Sequence, residues 1–142
     1  MKDASGHKAW IVRVILVGLV YLVIGLIFGV FTNSSSSDRF HVVIWRLAAW
    51  AISGAVYAAH IAYEHFWLAN SPRRTSLYAA AAAAVGAFDL AAAANVHGLW
   101  VGSSHQRLLM FALIAWPVLA GIPAFVIALL VSGGLSLIGR HN

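Results

Sequence analysis

Apolar residues run along this chain in four long stretches. Three short polar separators divide them: TNSSSSDR (32–39), ANSPRRTS (69–76) and VGSSHQR (101–107). Their Ser, Asn, Gly and Pro content marks turns. Each apolar stretch reaches the roughly twenty residues that cross a bilayer core. The pattern predicts helical spans over 12–31, 40–68, 77–100 and 108–138. Connections this short make consecutive spans antiparallel neighbours. The expected fold is therefore all-α, an antiparallel four-helix bundle forming a single transmembrane domain over 1–142.

Composition strengthens the membrane reading. The chain is 62% hydrophobic and 9% charged, against about 45–50% and about 25% in soluble domains. A soluble fold of this length would lack the polar surface to cover itself. The start, MKDASGHKAWIVRV, is basic and leads into an apolar run ending at Phe31 with no small-residue cleavage pattern. It reads as a retained span, not a signal peptide.

Charge sets the expected orientation. With four crossings, Lys2, Lys8, Arg13, Arg73, Arg74 and Arg140 share one side, and only Arg39 and Arg107 lie on the other. Both termini are then cytoplasmic, and the expected location is a plasma membrane of the bacterial inner-membrane type. Trp10 and Trp67 fall near the inner interface and Trp100 near the outer one, as in an aromatic belt. Topology thus accounts for the formal charge of +5, and nucleic acid is not an expected partner. The absence of cysteine excludes disulfides, thiolate nucleophiles and Cys-based metal sites.

The spans differ in character. Span three holds eleven alanines between Leu77 and Asn95, with Asp89 near its middle. Alanine contributes little to insertion, and a central Asp costs roughly 2.5–3.5 kcal/mol. Such a helix needs neighbours, and its small side chains let their backbones approach. It is expected at the centre of the bundle or at an oligomer interface. Span four contains Pro117 and Pro123, which predict a bend.

Span two carries the candidate chemistry. Arg46, Trp50, Ser53, Tyr57, His60 and Glu64 follow one another at steps of four and three, so they share one helical face. A polar stripe across a bilayer faces other helices or a wet cavity. Matching depths along antiparallel spans gives an expected network in three tiers. These are Arg13–Glu64 near the inner end, Tyr57–His60–Asp89 in the middle, and Arg46–Asn95–His97 toward the outside.

Several chemistries could use such a seam. His60 and Glu64 lie at i, i+4, but H-x-x-x-E-H is neither of the helical zinc patterns. Four of the seven histidines (His7, His41, His105 and His141) fall near termini or loops. No metal site is assigned. Ser53 shares the His60 face without a nucleophile elbow, and no catalytic residue is assigned. A haem or chlorin could take His97 as axial ligand, with Ala93 one turn before it leaving room, or His60, where bulkier Val56 leaves less. A series of Glu, His, Tyr, Asp and Arg through a bilayer also meets the needs of a proton or ion path. Four helices enclose little space, so that reading implies a homo-oligomer, with Gly25-x-x-x-Gly29 as one close-packing face. The alternative is a non-catalytic or cofactor-holding subunit of a larger membrane complex.

Overall fold

The computed structural model describes residues 3–34 and 38–138, so Lys2, Arg140 and His141 lie outside the described residues. Four helices follow in order: α1 (Asp3–Ser34), α2 (Arg39–Ala62), α3 (Pro72–Trp100) and α4 (Gln106–Ile138). Among the described residues there is no strand. All four are long and apolar enough to cross a membrane. Their lengths correspond to roughly 36–50 Å at 1.5 Å per residue. Most exceed the apolar runs predicted for them, because polar residues at their ends also take helical conformation.

Local chemistry explains where the helices start and stop. Asp38 caps α2: its carboxylate accepts from Phe40 N–H at 2.9 Å and pairs with His41 Nδ1 at 2.7 Å. These bonds hold the Asp38 carboxyl below its ordinary range. Pro72 opens α3 at its first position, where its missing N–H costs nothing. Gly102 closes α3 with a φ of 65°. The N–H groups of Ser103 and Gly102 then reach back to the carbonyls of Gly98 and Leu99, at 2.9 and 3.4 Å, which satisfies two orphan acceptors.

The helices run alternately up and down. One end gathers the start of α1, the end of α2, the start of α3 and the end of α4. Lys8, Arg13, Arg73 and Arg74 lie there, and it is called the basic end below. Trp10 of α1 stacks on Tyr78 of α3 at 5.1 Å between ring centres. At the opposite end Trp45 of α2 packs against Phe28 and Phe31 of α1.

α3 packs extensively against both α4 and α1, whereas α2 packs less closely against α1 and only slightly against α3. Alanine decides this arrangement. Ala79 and Ala82 are completely buried and Ala91 nearly so. The small side chains bring the helices within backbone reach: a Cβ at Gly86 would collide with Tyr21, and one at Gly18 with Val85. Gly25 similarly faces Leu90, so half of the Gly25-x-x-x-Gly29 pair is used within the chain.

The bundle is inverted relative to a soluble protein. Large apolar side chains such as Leu47, Phe66, Phe111, Ile114 and Leu130 cover the outside. The largest fully buried side chains among the described residues, Glu64, Thr75, Ser76 and Ser132, are all polar.

Candidate functional site: a polar cluster at the basic end

The helix of α2 does not end normally. After Ala62 it widens into a π-helical turn, Tyr63–Trp67, seen in the Leu68 N–H to Tyr63 carbonyl bond at 3.3 Å. Such widened turns occur frequently at functional sites. Ala69 follows in the left-handed region at φ 49°, a conformation that costs a residue with a Cβ about 1 kcal/mol or more. The turn has a result. It folds Asn70 back so that its N–H bonds the Glu64 carbonyl at 3.2 Å and its side-chain amide donates to Glu64 Oε2 at 2.6 Å.

Glu64 is thus the centre of the cluster. It is 1% exposed. Its other oxygen, Oε1, lies 3.4 Å from Arg13 Nε of α1. The Arg13 contact is electrostatic and not an aligned hydrogen bond, since Nε has no hydrogen-bond partner. A carboxylate buried this far is tolerable only because a cation and an amide satisfy it.

His60 stands one turn deeper on the same face and is also buried. It lies within electrostatic reach of Glu64 and Arg13. Its Nε2 is enclosed and has no partner. A further turn in, the Tyr57 hydroxyl donates to the Ala124 carbonyl of α4. The Tyr21 hydroxyl of α1 is within electrostatic reach of Tyr57 and has no hydrogen-bond partner. Ile61, Ala79 and Ala128 form an apolar floor against Tyr57. The start of α3 adds hydroxyls. Ser76 donates to the Pro72 carbonyl at 2.6 Å. Ser132 of α4 donates to the Ala128 carbonyl at 2.6 Å and to that of Pro72 at 3.3 Å. Thr75 Oγ1 is buried without a partner.

The expected residues therefore distribute unevenly. Arg13 and Glu64 meet. Tyr57, His60 and Glu64 line one buried face, with half-buried Ser53 above them. Asp89 does not join Tyr57 and His60. It is half-buried on α3, one turn beyond Gly86 on the side that packs against α1, and has no hydrogen bond or ion pair among the described residues. The tier of Arg46, Asn95 and His97 does not form either. Arg46 is exposed and turns toward α1, and His97 is exposed. Asn95 is buried against α4, where its amide donates to the Leu109 carbonyl at 2.5 Å and Gln106 donates to its Oδ1 at 3.3 Å. Depth matching located these residues along the axis, but azimuth separated them. The stripe of α2 rotates out of the bundle toward the end opposite the basic one, so Trp50 is 80% exposed.

The sequence reading missed Tyr21, Asn70, Thr75, Ser76 and Ser132. Tyr21 looks like an ordinary aromatic in an apolar span. Asn70 is a turn residue until the backbone folds it onto Glu64. The hydroxyl residues lie at span ends, where polarity carries no signal.

A flat macrocycle needs an open face beside its axial ligand. His97 has one and His60, enclosed, does not. Compared with known proteins, the chain matches no family model, no curated sequence and no solved structure.

Proposed function

We propose that the protein is an integral membrane protein that moves protons, with the cluster around Glu64 and His60 as the entrance from the basic side. In this reading both termini are cytoplasmic, since the Lys and Arg residues concentrate at that end. The supporting observation is His60: a buried imidazole with an unpartnered ring nitrogen, one turn from a buried carboxylate. Imidazole is the side chain whose ordinary titration range lies nearest neutrality. Tyr57 and Tyr21 provide hydroxyls deeper in the bundle, and Asp89 is the next carboxylate along α3. Four helices enclose little space, so conduction belongs to a homo-oligomer.

Proton flux into proteoliposomes, read by an internal pH-sensitive dye, tests this. Among the described residues Asp89 has no ion pair or hydrogen bond that a charge-free isostere would break. Asp89→Asn is therefore expected to abolish flux while leaving thermal stability nearly unchanged, and His60→Phe to abolish it too. Wild-type protein that passes no protons, or an Asp89→Asn variant that conducts like wild type, would sink the proposal. Parallel loss of folding and flux would make Asp89 a structural residue.

A second reading, a non-catalytic or haem- or chlorin-holding subunit of a larger membrane complex, draws support from the exposed positions of Arg46 and His97. An absorption spectrum before and after dithionite reduction distinguishes the two. A Soret or chlorin band lost in His97→Ala favours the subunit.

A further inference from the structure

Away from the basic end, α1 and α2 leave a groove of about 620 Å³ beside the contact of Trp45 with Phe28 and Phe31. This volume lies within the range of small-molecule and cofactor sites, roughly 300–1,000 Å³. Gly29 and Ala49 keep its floor low, Phe28 gives it an apolar wall, and Thr32, Asn33 and Arg46 contribute polar groups. At Gly29 a Cβ would meet nothing within 4 Å, so the space there is open. The groove is therefore apolar toward Gly29, Phe28 and Ala49 and polar toward Thr32, Asn33 and the cationic Arg46.

Among the described residues the charge of Arg46 has no acidic partner. The protein has four acidic residues. Glu64 is taken by Arg13 and Asn70, and Asp38 by His41 and the α2 amides. Asp3 begins α1 at the other end of the bundle. Asp89 forms no ion pair with Arg46 among the described residues. Arg46 also lies seven residues inside α2, about 10 Å from its start at 1.5 Å per residue. A guanidinium at that depth is costly unless its stem carries it to the interface or an anion accompanies it.

We infer that the groove binds an anionic phospholipid of the surrounding bilayer. The headgroup phosphate sits on Arg46, which presents a planar fork of donors suited to phosphate, with the Thr32 hydroxyl beside it. One acyl chain lies over Gly29 against Phe28. The inference rests on the membrane reading alone and is independent of proton movement.

The test is retention of phosphatidylglycerol against phosphatidylcholine by the detergent-purified full-length protein, read by native mass spectrometry. Wild type is expected to keep phosphatidylglycerol preferentially. Arg46→Gln should weaken that retention about tenfold, the loss expected for one charge-assisted contact. Gly29→Leu should weaken it comparably by filling the floor, without a packing clash. Arg107→Gln, at the same end but outside the groove, should retain it. Equal retention of both lipids by wild type would overturn the inference, as would an unchanged Arg46→Gln. So would a loss in Arg107→Gln as large as in Arg46→Gln, because end charge alone would then explain the preference. Thermal unfolding of each variant ensures that the lipid readout comes from folded protein.

Discussion

The two halves of α2 carry the same kind of polar stripe and meet opposite fates. In the half nearer the basic end, His60 and Glu64 are 7% and 1% exposed. In the other half Arg46 is exposed and Trp50 is 80% exposed. Spacing is shared, so spacing does not decide burial. What decides it is the opposing surface. Near the basic end, α1 offers Arg13 and α3 offers Ala79, Thr75 and Ser76, all able to pair with or pack closely on polar groups. Toward the other end α1 touches α2 through Phe28 and Phe31 on Trp45, and beside them Gly29 leaves a groove with no acidic side chain to meet Arg46. An ionisable residue enters a bundle core where another element can satisfy it, and otherwise stays at the margin.

Stability measurements in a mild detergent can break or sharpen this contrast. The largest effect is expected from Arg13→Ala, which leaves Glu64 buried with one partner removed. The loss should be about 3 kcal/mol, the low end for a broken buried pair because Arg13 remains 29% exposed. Arg46→Ala should change stability by less than about 0.5 kcal/mol. Equal losses in the two variants would remove the distinction between the halves. Next come two isoleucines of the same helix. Ile61, 3% exposed and packed on Ala79 and Ala128, should cost about 2 kcal/mol on truncation to Ala. Ile52, 43% exposed, should cost much less, and a chemical-denaturation midpoint reads both.

Tyr57→Phe removes the hydroxyl that ties α2 to the Ala124 carbonyl of α4. A loss of about 1 kcal/mol is expected, together with faster hydrogen exchange in the second half of α2. The smallest effect has the opposite sign. Ala69→Gly relieves the left-handed backbone at φ 49° and should stabilise by less than about 1 kcal/mol, the strain relief being partly offset by glycine's greater unfolded-state entropy. Destabilisation there would mean that the Ala69 side chain contributes packing that its exposed position does not suggest.

Much of the architecture was legible before any coordinates. Hydrophobic run length and the three polar separators determined four long helices and their antiparallel order, because a short connection leaves no other geometry. The alanine content of α3 pointed to close packing, at the bundle centre or at an oligomer interface, because only small side chains permit such close backbone approach; the fold places that packing against α1 and α4. Helical periodicity placed Tyr57, His60 and Glu64 on one face, and depth counting brought Arg13 to Glu64. Azimuth lay beyond that reading. Periodicity states which residues share a face of one helix, not which neighbour the face meets, so Asp89, Arg46, Asn95 and His97 separated although their depths matched. The cluster itself depended on backbone events with no sequence periodicity: the π-helical turn at Tyr63–Trp67 and the left-handed Ala69 that returns Asn70 to Glu64. Tyr21, Thr75 and Ser132 likewise gained significance only from what lies across from them. The sequence by itself determined how many helices there are, their antiparallel order and which of them carries the small side chains for close packing. Only the tertiary structure decided which polar groups are buried together, because burial is a property of two surfaces and each span specifies one.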